Sequence, residues 1–110
     1  MKYFIRVRLL RSGDDQRTAF GPGPARLLRG IEKTGSLNQS AKAMGMAYSK
    51  AWKVLGAVES QLGFPLIERK GPKGSSLTDR GRRFLALYSE IEKAVNDAAQ
   101  KVLDNTDFTF

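Results

Sequence analysis

Residues 34–85 read TGSLNQSAKAMGMAYSKAWKVLGAVESQLGFPLIERKGPKGSSLTDRGRRFL, and the order of signals in this stretch decides the fold. Ser36-Leu37-Asn38-Gln39 has the spacing of a capping box, in which the Ser36 hydroxyl and the Gln39 side chain satisfy each other's free backbone N–H groups. A helix is therefore expected from Leu37, carrying Leu37, Ala41 and Met44 inward and stopping at Gly45. Met44-Gly45-Met46 is a tight turn. The next helix opens near Tyr48 and places Tyr48, Ala51, Trp52, Leu55, Val58 and Leu62 on one face at helical spacing. Ser49, Lys53, Gly56 and Ser60 lie opposite, with Lys50 at the flank. Ala47 takes the cap position, where Ser or Thr would be better by about 1 kcal/mol, and Gly63 is a good C-terminal stop. A strand from Pro65 to Lys70, a basic glycine loop from Gly71 to Ser75 and a helix launched by Thr78 follow. This succession is that of a helix-turn-helix with a wing, so the expected fold class is mainly α with a small β component.

On the N-terminal side, residues 2–11 alternate: Tyr3, Ile5, Val7 and Leu9 point one way, and Lys2, Arg6 and Arg8 mostly the other, which predicts a strand with one buried face. Ser12-Gly13-Asp14-Asp15 is a turn and Phe20-Gly21-Pro22-Gly23-Pro24 a second breaker. Between them Gln16 to Ala19 is expected as a short strand pairing back as a hairpin. Pro24 suits the first position of a helix whose apolar stripe is Leu27, Leu28 and Ile31 and whose end is Gly35. On the C-terminal side, a helix from Thr78 to Asp104 would run some 40 Å at about 1.5 Å per residue, longer than one small core can cover. Its apolar positions Phe84, Tyr88, Ile91, Val95, Ala98 and Val102 step by 4, 3, 4, 3, 4, a coiled-coil-like seam. That seam predicts a homodimer, with packing of the same helix on its own domain as the other possibility. One domain over 1–110 is expected, divided into an N-terminal strand or hairpin (1–22), a helix-turn-helix core (24–63), a wing (65–78) and a long dimerisation helix (78–104).

The composition removes whole classes of function. The 110 residues contain no cysteine and no histidine, so disulfides, thiolate metal sites, a Ser-His-Asp triad and a Cys-His pair are all impossible. No closely spaced acidic pair or glycine-rich phosphate loop supports other catalysis, and the reading is of a protein that is not an enzyme and needs no cofactor or metal. No apolar run approaches the roughly 18–20 residues of a membrane span. The alternating N-terminus is not a signal peptide, and a cytoplasmic location is expected by default. The net charge of +8 is unevenly placed: residues 1–83 hold 17 Lys+Arg against 6 Asp+Glu, and residues 84–110 hold 2 against 5. The basic part coincides with the helix-turn-helix and wing, as a salt-dependent contact with a polyanion requires.

Double-stranded DNA is the expected partner. The major groove admits one α-helix, and the second helix of a helix-turn-helix puts its N-terminal side chains against base edges while the first crosses the backbone. Ser49 and Lys50 are the expected base contacts, and Lys53 and Tyr48 the phosphate contacts. Gln39 and Ser40, at the start of the first helix, are further candidates, although capping alone accounts for Gln39. Lys70 and Lys73 supply the charge of the wing, and Arg80, in the first turn of the last helix, would offset its unfavourable dipole position by touching phosphate. Each of these residues is equally at home on a plain solvated face. Trp52, the only tryptophan, shares a face with Leu55 and is expected as a core anchor between helices. Non-specific architectural DNA binding and a protein-interaction module on the same scaffold are the competing readings.

From Thr34-Gly35-Ser36-Leu37 through Ala51-Trp52, and again at Pro65-Leu66-Ile67-Glu68-Arg69 and Leu77-Thr78-Asp79-Arg80-Gly81, the sequence resembles the N-terminal winged-helix domain of the ModE-type molybdate-responsive transcription regulators. The resemblance covers about residues 25–103. LysR-type regulators share a looser version, and the AYSKAW segment favours the ModE type. The resemblance implies a homodimer held by the long last helix and the N-terminal strand, bound to a palindromic operator. It also implies a recognition helix over Ala47 to Lys53 and a wing at Gly71 to Ser75, shorter here than the family's glycine-rich loop. Full-length members carry molybdate-binding domains after the long helix. This sequence runs only six residues past Asp104, so no molybdate site is expected in it, whether it is a one-domain relative or part of a longer chain.

Overall fold

A computed structural model describes residues 4–11, 13, 16–71 and 74–110. Helices α1 (Pro22–Thr34), α2 (Leu37–Ala43) and α3 (Tyr48–Leu62) are followed by strands β1 (Ile67–Arg69) and β2 (Ser75–Leu77) and helix α4 (Asp79–Asp104). The strands pair antiparallel with Ile67 opposite Leu77, Glu68 opposite Ser76 and Arg69 opposite Ser75. The mainly α, winged helix-turn-helix architecture is thus as expected.

One core joins all the elements. Leu27, Leu28 and Ile31 of α1, Leu37 and Ala41 of α2, Ala51, Leu55 and Val58 of α3, Leu66, Ile67 and Leu77 of the wing, and Leu85 and Tyr88 of α4 are buried together around Phe20. The Phe20 ring meets Phe84 and Tyr88 edge-on, each with centroids 4.9 Å apart, the arrangement that aromatic quadrupoles favour. α1 begins two residues earlier than expected, at Pro22. Both prolines are tolerated because the first-turn N–H groups lack intrahelical partners in any case. Gly35 and Gly63 end α1 and α3 in the left-handed conformation, at φ 73° and 90°. Thr78 caps α4 by accepting the Gly81 N–H at 2.8 Å, while its hydroxyl donates to Pro65 O.

The N-terminal region departs from expectation. Among the described residues, 4–11 form no strand, Gln16–Thr18 is a single 3-10 turn rather than a strand, and pairing is limited to an isolated bridge of Leu9 with Phe20. The ladder cannot grow past Phe20 because Gly21-Pro22 opens α1 and proline has no N–H to donate. Lys2, Tyr3, Ser12, Asp14 and Asp15, to which the strand and turn readings also applied, lie outside the described residues. Side chains replace the missing ladder. Gln61 accepts the Arg11 N–H at 2.7 Å and donates to Thr18 O, Asn96 exchanges two hydrogen bonds with the Ile5 backbone, and the Tyr88 hydroxyl donates to Val7 O at 2.6 Å.

α4 divides into two halves. Its first half packs on the core through Gly81, Leu85 and Tyr88, and no residue beyond Tyr88 is buried. The Cα radius of gyration is 16.0 Å, against about 13 Å for a compact chain of this length, because the second half projects from the domain. Two members of the expected dimer seam are therefore reassigned. Tyr88 is fully buried in its own domain, and Phe84 is half-buried between Phe20 and Phe64. Ile91 is half-buried, while Val95, Ala98 and Val102 stay exposed. A 4-3 repeat cannot tell its own core from a partner, and here the core claims the first two steps.

Candidate nucleic-acid interface

The first turn of α3 and the wing stand side by side. Ala47 provides no side-chain cap to α3, and Ser49, Lys50 and Lys53 are exposed along its leading edge. Tyr48 is 44% exposed and sits edge-on to Trp52, with ring centroids 6.4 Å apart. The recognition face expected from the sequence is therefore solvent-facing, and Ala51, Leu55 and Val58 hold it rigidly from behind. Lys70 is exposed at the end of β1, and its backbone N–H donates to Gly74 O at 2.8 Å, closing the wing turn. Lys73 lies outside the described residues. Arg80 is exposed, with its guanidinium over the Phe64 ring at 4.3 Å. Arg82 donates to Leu77 O, and Arg83 pairs loosely with Asp79 at 3.8 Å.

Two expectations at the start of α2 are corrected. Ser40 is 2% exposed, and its hydroxyl donates to Leu27 O at 2.8 Å. It ties α2 to α1 and has no access to DNA. Gln39 is exposed, but the capping box is only half made. Ser36 accepts the Gln39 N–H, whereas the Ser36 N–H donates to the Thr34 hydroxyl at 3.2 Å instead of to Gln39. Thr34, one residue before the turn, reaches the cap first and leaves the Gln39 amide for solvent or a ligand.

Trp52 packs against the core, as expected, but only in part. It is half-buried rather than central, and the Arg69 guanidinium of β1 lies over its ring. Sequence reasoning assigned Arg69 no role, because the stacking joins residues on separate elements. The wing is further fastened by Glu59 of α3, whose carboxylate accepts the N–H groups of Leu66 at 2.6 Å and Ile67 at 3.2 Å. On the other side, the Ser75 N–H donates to Gly35 O at 2.9 Å. Gly74, at φ 89°, packs so closely on Gly35 O that a Cβ there would overlap it. Asn38, Tyr48, Arg69, Gly71, Gly74 and Ser75 enclose a cleft of about 260 Å³ between α2, α3 and the wing. Among the described residues no group of His, Cys, Asp and Glu could hold a metal ion, and no helix is long and apolar enough to cross a membrane.

Comparison with known proteins agrees with this geometry. Residues 25–82 match the family of bacterial regulatory helix-turn-helix proteins of the LysR type. The chain is 33% identical over 92 residues to the molybdenum transport protein ModE of Azotobacter vinelandii, covering 80% of this chain and 34% of that protein. It is 35% identical over 89 residues to the transcriptional regulator ModE of Haemophilus influenzae, covering 77% and 35%. Against the DNA-binding transcriptional dual regulator ModE of Escherichia coli K12 it is 31% identical over 96 residues, covering 84% and 36%. The chain spans about a third of the length of these relatives. Among solved structures it resembles the CbnR_DBD–DNA complex, with a TM-score of 0.62 and 21% identity over 74% of this chain and 93% of that one. A LysR family transcriptional regulator gives 0.58 and 20% over 72% and 27%. These two likenesses show the fold.

Proposed function

Because the chain belongs to the LysR family of bacterial regulatory helix-turn-helix proteins, we propose that it is a sequence-specific, dimeric DNA-binding transcription regulator of the ModE kind. The observation that carries this reading is the exposure of Ser49, Lys50 and Lys53 on the first two turns of α3 and of Arg69 and Lys70 on the wing, which meets that helix at the cleft shared by Tyr48 and Arg69. A helix presenting lysine and serine can read guanine O6 and N7 in the major groove, and the flanking charges take the phosphates. Two of the relatives described above are named transcriptional regulators; this chain is proposed to correspond to their DNA-reading part and to act without catalysis. Dimerisation is assigned to the projecting half of α4, where Val95, Ala98 and Val102 are exposed. A two-fold dimer would space its half-sites about one helical turn, near 34 Å, apart. The name of one of these relatives, the molybdenum transport protein ModE of Azotobacter vinelandii, ties it to molybdenum, and a place in molybdenum metabolism is proposed on that ground.

Selection of bound duplexes from a random pool at about 150 mM salt tests the proposal. A recovered palindrome is the expected result. Recovery without consensus would point to architectural binding, and no binding to any duplex would reject the reading. Repeating the titration with and without molybdate tests the metabolic link.

A further inference from the structure

We infer that the cleft between α2, α3 and the wing is a seat for a single phosphodiester of the DNA backbone, with Arg69, Tyr48 and Asn38 as its donors and Trp52 as the residue that positions Arg69. The inference rests on the DNA-binding reading above and adds to it a site that combines three elements. At about 260 Å³ the cleft lies below the range of sites for drug-sized ligands and suits one small group. Among the described residues its lining contains a guanidinium, a phenol, a carboxamide, the Ser75 hydroxyl and two glycines, and no carboxylate. Among the described residues the side-chain polar ends of Asn38, Tyr48, Arg69 and Ser75 have no hydrogen-bond or salt-bridge partner within the protein, so donors converge there unspent.

The seat is built rather than incidental. An exposed arginine normally samples many rotamers, but the Trp52 ring beneath the Arg69 guanidinium restricts it. With its Cζ held over the indole, the guanidinium keeps N–H groups free of any hydrogen-bond partner among the described residues, and such a fork can bind two phosphate oxygens at once. Tyr48 is braced by the same indole, so one side chain orients two donors. The opposite wall is fixed by the Ser75 N–H on Gly35 O and by the close approach of Gly74. Lys50 and Lys53 lie along the neighbouring edge of α3, where a duplex backbone entering the cleft would continue past them.

The test is a scan in which each phosphate of the tightest selected duplex is replaced in turn by a neutral methylphosphonate. Wild-type protein is expected to lose about tenfold or more in affinity at one phosphate per half-site, in line with a charged hydrogen bond. Arg69→Ala should bind the unmodified duplex about tenfold or more weakly, show a salt slope lower by about one, and lose nothing further at that same phosphate. Tyr48→Phe, which removes only a hydroxyl, should show a smaller loss at the same position. Trp52→Leu should abolish the sensitivity and Trp52→Phe restore it, a rescue that a purely structural role would not produce at one phosphate alone. Inorganic phosphate at millimolar concentration should not compete with duplex, and competition would identify a free-anion site instead. If wild-type protein binds duplex but Arg69→Ala keeps the full methylphosphonate pattern, the phosphate seat is wrong while DNA binding stands. If wild-type protein binds no duplex, both fall.

Discussion

Gly30 of α1 and Ser40 of α2 fit against each other with no space for a methyl group: a Cβ at position 30 would overlap the Ser40 Oγ, which donates to Leu27 O across the same contact. Alanine in a helix interior is ordinarily better than glycine by up to about 1 kcal/mol. Here overpacking, at about 1–3 kcal/mol, should win, so Gly30→Ala is expected to lower the thermal midpoint. Ser40→Ala removes one net hydrogen bond and should cost about 0.5–1.5 kcal/mol. Duplex affinity of the folded Ser40→Ala protein should be unchanged; a loss of tenfold or more would return Ser40 to the DNA-contact set.

Tyr88 gives the protein an alkaline limit. Burial is the main cause that raises its hydroxyl above the ordinary 10.0, with the Glu92 charge adding to it. Below pH 10 the phenol is protonated in both folded and unfolded chains and contributes no pH dependence. Above it the unfolded chain releases the proton first, so stability falls as pH rises toward the folded-state value. Denaturant midpoints measured between pH 8 and 11 should show this decline. Tyr88→Phe should be less stable at neutral pH through loss of the bond to Val7 O and should show less of the alkaline decline.

Glu59 is a positioning residue for the wing. Its carboxylate serves two backbone N–H groups at the entry to β1, and Glu59→Ala leaves both without that acceptor, at a cost of about 1–3 kcal/mol. Because β1 carries Arg69, the variant should also bind duplex more weakly than Ser40→Ala does, at equal fraction folded. Equal affinities in a titration of the two proteins would show that the wing contributes little.

The projecting half of α4 should govern assembly. Val102 is 70% exposed, and a fully buried valine contributes about 1.5–3 kcal/mol. Val102→Asp should therefore weaken a dimer at least tenfold in sedimentation while leaving the thermal midpoint of the domain nearly unchanged. A wild-type monomer at micromolar concentration would reject the dimer.

Lys50 and Lys53 should separate by kind of contact. Lys53→Ala should weaken all duplexes alike and lower the salt slope by about one, whereas Lys50→Ala should relax preference at one base position. Binding assays over a salt series, with specific and random duplexes, distinguish the two. Identical behaviour of the two variants would remove the base-reading role given to Lys50.

By itself the sequence determined the helix-turn-helix, the wing and the long helix. Their boundaries depend on local chemistry: the Ser36 and Thr78 caps, the left-handed glycines at 35 and 63, and the helical spacing of Ala51, Leu55 and Val58 act over a few residues. Only the tertiary structure decided what those elements cover. Ser40 and Tyr88 could have faced DNA and a partner subunit, and instead are taken up by Leu27 O and Val7 O. Trp52 packs against the core but only half-buried, and its exposed side carries Arg69 from another element. The N-terminal alternation promised a strand, but a ladder needs a second strand, and Gln16–Thr18, where one was expected, forms a 3-10 turn just before α1 opens at Pro22. Periodicity fixes which side chains share a face because the backbone repeat is local. Which neighbour buries that face depends on contacts between residues far apart in the chain, and these exist only once it has folded.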